Sequence, residues 1–149
     1  MIESISHITF IVKDLDKSTQ LFKELFDAKE VYYSGEKLNS LFKERFFIIG
    51  SQWIAVMEDV NIINRTYHHV AFKISNNEVD SYLYKIKSLN LELKPPRVRL
   101  PGEGVSIYFY DYDNNLFELH TETLEKRLTT YSENTVKDGL GRQSSDERT

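Results

Sequence analysis

An α+β fold made of two βαβββ modules is what this sequence predicts, on three observations. The order strand, helix, strand, strand, strand reads twice along the chain. The two readings are in register, SHITFIV from Ser6 against HHVAFKI from His68, an offset of 62 residues. Each opening strand is followed by a stretch whose apolar residues recur every three or four positions, the period of a helix packed on one side. A duplication accounts for all three, and an internal repeat outranks local assignments because missing it misplaces the whole fold. The expected boundaries are one domain over residues 1–131, with module one at 1–59, a linker at 60–67 and module two at 68–131, then a polar flexible tail at 132–149.

Ile5 to Val12 alternates as a strand, with Ile8, Phe10 and Val12 on one side and His7, Thr9 and Ile11 on the other. KDLDKSTQLFKELF follows as an amphipathic helix, with Leu15, Thr19, Phe22 and Phe26 on one stripe and Asp14 or Asp16 as N-cap. Glu30 to Ser34 is a short strand, and Leu41 to Ile49 and Gln52 to Glu58 are strands around Gly50-Ser51. Period two puts Glu44 on the face of Phe42, Phe46 and Ile48. Asp59 to Tyr67 breaks the pattern as a linker.

The second module starts with the strand HHVAFKIS, the helix NNEVDSYLYKIKSL with Val79, Tyr82, Leu83 and Ile86 on one stripe, and the short strand LELK. The loop PPRVRLPGEG leads into a hairpin spanning Glu103 to Arg127, turning at Asp113-Asn114-Asn115, a cluster suited to Asx turns and positive φ. Ser106, Tyr108 and Tyr110 share a face of its first strand, and Leu116, Glu118 and His120 share a face of its second. Glu122 to Tyr131 reads as a short helix. From Ser132 only Val136 and Leu140 are sizeable apolar side chains, too few to offset the entropy of ordering. Each module leaves one sheet face uncovered, and pairing those faces within the chain or across a dimer closes a cleft.

The composition excludes several classes. Forty per cent of the residues are hydrophobic and 13% aromatic, which is globular, and the formal net charge of −4 comes from interspersed acids and bases, without a basic footprint for nucleic acid or anionic membrane. The chain has no cysteine, which removes disulfides, thiolate nucleophiles and cysteine-ligated zinc, and is compatible with a reducing cytoplasm. No signal-like pattern and no 18-residue apolar run argues for export or membrane insertion.

The repeat puts His7 and His69 at equivalent positions, each on the face opposite the plainly apolar one. Glu118 is a mid-strand carboxylate between apolar neighbours, where charge is rare unless paired or bound to metal. Two imidazoles and one carboxylate from separate strands make a facial set that Mn, Fe, Co, Ni or Zn accepts with coordination positions open. The first-module equivalent of Glu118 falls near Ala55, so three protein ligands are expected. Against this, a mid-strand histidine is commonly a hydrogen-bonded core residue, and Glu118 could pair with Arg127 or Lys126. His68 and His120 fall on the opposite face from the expected ligands or beyond them. Glu44 is the second exceptional carboxylate. Burial among aromatics raises a carboxyl pKa and suits a general base working near neutrality, and an ion pair with an arginine of the 97–99 loop is the alternative.

SHITFIVKDL, HHVAF and LFELHTETLEKRL, with the doubled order, resemble the vicinal oxygen chelate superfamily, which includes glyoxalase I, extradiol dioxygenases and fosfomycin resistance proteins. KERFF around Glu44 and GEGVSIYFYD before the last strand are most similar to the hydrolase branch of the fosfomycin resistance proteins. The resemblance implies a cupped, glyoxalase-like sheet with modules exchanged between the subunits of a homodimer. It implies Mn(II) on His7, His69 and Glu118, Glu44 as general base, Thr9 beside the substrate, and Ser106, Tyr108 and Arg127 on the phosphonate. Glutathione-dependent relatives carry lysine and serine, in a loop that binds potassium, where this chain has Val98 and Gly102; Arg97 or Arg99 would supply charge instead. The implied reaction is opening of fosfomycin, a phosphonate epoxide, by water to a diol. Transfer of bacillithiol, glutathione or L-cysteine to the same substrate, iron-dependent extradiol cleavage, and metal-free drug binding are the alternatives.

Overall fold

A computed structural model describes residues 1–37, 40–61, 63–96 and 99–143, with side chains of the last helix described through Lys137. Two four-stranded mixed sheets carry the fold. In the first, β1 (His7–Val12), β2 (Lys29–Tyr33), β3 (Glu44–Ile49) and β4 (Gln52–Glu58) lie in the order β1-β4-β3-β2. In the second, β5 (His69–Lys73), β6 (Glu92–Leu93), β7 (Ser106–Tyr110) and β8 (Leu116–His120) lie in the order β5-β8-β7-β6. The first and last strands of each module pair in parallel and the others antiparallel, as a duplicated βαβββ unit requires.

Helix α1 (Leu15–Phe26) starts at Asp14, whose carboxylate accepts the Lys17 N–H at 2.9 Å. It ends at Asp27 in the left-handed region, φ 52°. Helix α2 (Val79–Ser88) follows a 3₁₀ turn at Asn76–Glu78 that closes a capping box between Ser75 and Glu78. The tip of the β7–β8 hairpin uses Asn114 at φ 67°, one of the few residues that adopts this conformation at low cost.

Alternation sends Phe10, Val12, Phe47, Ile54, Phe72, Ile107, Phe109, Phe117 and Leu119 to one shared core with Phe22 and Phe26 of α1. Phe117 is its centre, with ring centroids 4.9 Å from Phe10, 5.1 Å from Phe26 and 5.7 Å from Phe109. The two modules therefore bury the same core, and the functional candidates lie on the other faces.

Two elements differ from their sequence expectations. Strand β3 begins at Glu44 and not Leu41, because the Glu44 N–H is taken by Ser34 Oγ at 3.0 Å as the β2–β3 connection closes. Helix α3 runs from Leu124 to Gln143, through much of the expected tail. Its composition forbids burial but does not forbid propagation: a nucleated helix gains one backbone bond per residue fixed. Here Asn134 and Thr135 also bond back to the Thr130 and Tyr131 carbonyls at 3.0 and 2.9 Å. Residues 144–149 of that expected tail lie outside the described residues. No helix among the described residues is long and apolar enough to cross a membrane.

Candidate metal centre and anion site

Strand β8 is central in its sheet, so each of its residues has neighbours on both sides. Glu118 faces Ala71 of β5 and Tyr108 of β7, while Ser106 of β7 faces His120. The small Ala71 leaves room beside the carboxylate. His69, one diagonal step away, places Nε2 3.0 Å from Glu118 Oε2, and its Nδ1 lies 2.8 Å from the Tyr67 carbonyl oxygen.

A carbonyl oxygen only accepts, so Nδ1 carries a proton, and Nε2 faces a carboxylate oxygen. Two lone pairs aimed at each other need a proton or a cation between them. A histidine oriented through its other nitrogen, beside an acid, is the usual arrangement of a metal ligand. The donor set therefore fits a divalent ion of the Mn, Fe or Zn type.

The second Glu118 oxygen is held from the other side. Arg127 of α3 donates from Nη2 to His120 Nε2 at 2.9 Å, and a guanidinium cannot accept. The neutral His120 therefore carries its proton on Nδ1 and donates to Ser106 Oγ at 2.6 Å; the Ser106 hydroxyl in turn donates to Glu118 Oε1 at 2.5 Å. One polarity runs from cation to carboxylate. Burial, and then the adjacent Arg127 charge, hold the His120 imidazole below its ordinary pKa. Burial pushes the Glu118 carboxyl up, yet hydrogen bonds from Ser106 and Tyr108 and the two imidazoles outweigh it and hold it below the usual carboxylate range. Tyr108 is pushed up, first by burial, and stays a donor.

Arg99 completes this half. Its side chain is only 15% exposed, Nη2 lies 3.8 Å from Glu118 Oε1, and neither Nη1 nor Nη2 has a hydrogen-bond partner among the described residues. A buried guanidinium with idle donors is costly unless an anion arrives. A cavity of 210 Å³ opens between Ala71, Glu118, His120 and Arg127.

The remaining candidates sit on the first sheet. His7 is exposed and its ring lies tilted by 32° against Trp53 at 4.2 Å between centroids, with Nδ1 3.2 Å from Ser6 Oγ. Thr9 is exposed on the same face. Glu44 lies in the register row of Met57 and Ile11, is 4% exposed, and has no hydrogen bond or ion pair from its carboxylate among the described residues.

The structure thus brings together His69, Glu118, Ser106, Tyr108, Arg99 and Arg127, and leaves His7, Thr9 and Glu44 as a separate set. The expected three-ligand group does not form within one chain: among the described residues no three such side chains gather for a metal. The reason is packing. The neighbours of His7 (Ile8, Phe10) and of His69 (Val70, Phe72) enter the same core, so the two histidines project from outer sides of it. Among the described residues the alternative pairings are also absent: Arg127 binds His120 and not Glu118, and Arg99 approaches Glu118 and not Glu44. Arg97 lies outside the described residues.

His120, which the sequence reading set aside, is the link between Arg127 and Ser106. Its shared face with Glu118, two residues earlier, was the available signal. Tyr67, read only as linker, holds His69 through its carbonyl.

The model of the glyoxalase/bleomycin resistance protein/dioxygenase superfamily matches residues 4–119. The fosfomycin resistance protein FosX of Listeria innocua is 56% identical over 131 residues, 88% of this chain and 98% of that protein. FosX of Mesorhizobium japonicum is 50% identical over 128 residues, 86% of this chain and 92% of that one. Among solved structures, a mutant FosX from Listeria monocytogenes complexed with Mn(II) and 1S,2S-dihydroxypropylphosphonic acid superposes with a TM-score of 0.82 at 55% identity, covering 87% of this chain and 99% of that one.

Proposed function

The chain belongs to the glyoxalase/bleomycin resistance protein/dioxygenase superfamily and, inside it, to the FosX fosfomycin resistance proteins, and on that premise we propose that it is a Mn(II)-dependent hydrolase opening the oxirane of fosfomycin with water. The observation that carries the reading is His69 Nε2 set against the Glu118 carboxylate at 3.0 Å, beside an Arg99 guanidinium whose terminal nitrogens have no hydrogen-bond partner among the described residues. The first is a place for a divalent cation and the second a place for a phosphonate.

His69 and Glu118 of one chain, with His7 of a second copy, would hold the ion. Each chain carries both halves of such a site on faces that its own core keeps apart, so a homodimer that exchanges halves completes two sites. When bound, Mn(II) supplies Lewis acidity at the oxirane oxygen, a role worth several kcal/mol. Arg99, Arg127, Ser106 and Tyr108 orient the phosphonate, the two arginines by charge-assisted bonds and the other two by hydroxyl donors. Thr9 lies beside the substrate. Glu44 takes a proton from water as the water oxygen bonds to an oxirane carbon and the C–O bond there breaks. The ring oxygen then gains a proton and the product is a diol. General-base help of this kind contributes about 10²- to 10⁴-fold. The reaction belongs in the cytoplasm, which the cysteine-free composition permits.

Phosphorus NMR of fosfomycin incubated with the protein in thiol-free buffer, with and without Mn(II), tests this. The diol is expected only with metal. Consumption of fosfomycin only when a thiol is added would overturn hydrolysis in favour of transfer.

A further inference from the structure

We propose that helix α3 belongs to the anion site: Tyr131, acting through the buried Glu103, positions the Arg99 guanidinium. The inference rests on the reading of Arg99 as a phosphonate anchor.

The segment from Arg99 to Val105 is short and tightly bent. Gly102 and Gly104 stand at φ 85° and 76°, where a side chain is strained. A Cβ on Gly104 would come within 2.2 Å of Glu122 Cγ, so the loop lies directly against the residues leading into α3.

What fixes the bend is a carboxylate. Glu103 is 1% exposed, its Oε2 accepts the Leu100 N–H at 2.6 Å, and its own N–H returns to the Leu100 carbonyl at 3.1 Å. Leu100 is the residue after Arg99, so this pair of bonds sets the direction in which the arginine leaves the backbone.

Glu103 is in turn held by α3. Tyr131 donates its hydroxyl to Glu103 Oε1 at 2.8 Å, and Thr130 donates to the Gly102 carbonyl at 3.1 Å. On the far side, the Val105 N–H donates to Thr121 Oγ1 at 3.0 Å and the Val105 carbonyl accepts the Thr121 N–H at 3.1 Å. A buried acid with this many assigned donors is a rigid clasp, since leaving any of them unmet is expensive.

The clasp holds Arg99 where its terminal nitrogens keep only a long ion pair with Glu118, 3.8 Å, and make no hydrogen bond among the described residues. A guanidinium free to relax would turn toward water or close on the carboxylate. Holding it between those choices is preorganisation for a third group, an incoming phosphonate oxygen.

Tyr131→Phe, which removes one hydroxyl, is the test, made on the full chain loaded with Mn(II). Loosening a charge-assisted contact without deleting it is expected to raise KM for fosfomycin about 3- to 10-fold. Turnover at saturation should stay within about twofold and Mn(II) affinity should not change, because neither Glu118 nor His69 touches the clasp. In an Arg99→Ala background the same change should have no further effect on KM, the signature of two residues acting through one contact. Glu103→Gln, which keeps the volume of the side chain, should reproduce the KM effect. An unchanged KM in Tyr131→Phe, or an equal rise with and without Arg99, overturns the proposal while leaving Arg99 an anchor. If Arg99→Ala alone leaves KM unchanged, the anchor reading itself fails and the positioning role falls with it.

Discussion

Glu44→Gln separates chemistry from stability at one atom. The carboxylate is 4% exposed on β3 and has no hydrogen-bond or ion-pair partner among the described residues, so replacing it with an amide of the same shape breaks no such bond among them. Burying a neutral amide costs less than burying a charge. The melting temperature should therefore hold or rise by a few degrees, about 1 kcal/mol at most. Catalysis should behave oppositely: an amide cannot take the proton from water, and loss of general-base help predicts a fall of about 10²- to 10⁴-fold in kcat. Mn(II) affinity should not move, because Glu44 is not among the three proposed ligands and, on β3, lies two strands from His7 on β1. The assays are a saturating diol-formation rate, a thermal melt, and metal titration on one preparation. Turnover within a few-fold of the parent would remove Glu44 as the base. A large drop in melting temperature would refute the account of an unpartnered side chain.

A mixture of His7→Ala and Glu118→Ala chains, each inactive alone, should recover activity on refolding together, because one hybrid site then has all three ligands; no recovery would put the site within a single chain. Ser106→Ala removes the bond to Glu118 Oε1 and leaves His120 Nδ1 without its acceptor, so Mn(II) affinity should weaken about 10- to 100-fold by titration. For Asp111, burial pushes the carboxyl from 3.8 up to about 6, against its bonds from Asn115 and the backbone N–H groups of Asp113 and Asn115. A raised native value means that this contribution is whole below pH 3.8 and lost as pH rises through about 6, a change worth roughly 3 kcal/mol. Asp111→Asn should flatten the dependence of melting temperature on pH between about 4 and 7; an unaltered slope would show that Asp111 does not cause it.

The duplication, the eight strands and the first two helices were legible because their signals are local: period two in HITFIV and HVAFK, period 3.6 in LDKSTQLFKELF, and an aspartate before the latter. The repeat also named His7 and His69, and the alternation of β8 named Glu118. The reach of α3 was not legible, because whether a polar segment stays helical depends on what nucleates and anchors it. Nor was the role of His120. Strand alternation says that it shares a face with Glu118, but only the fold brings Arg127 of α3 to its other nitrogen.

Residue types and their spacing are properties of the chain, so the sequence by itself determined the module order and the family, and it nominated His7, His69 and Glu118 as candidate donors. Which donors meet is a property of packing. Phe10 and Phe72 draw both modules onto one core, and that burial turns His7 away from His69 and Glu118. It also divides the candidates into two faces and leaves Arg99 3.8 Å from the Glu118 carboxylate with no hydrogen bond from its terminal nitrogens among the described residues. No periodicity records that division, because it comes from contacts between side chains far apart in sequence, such as Phe10 with Phe117 and Phe26 with Phe72.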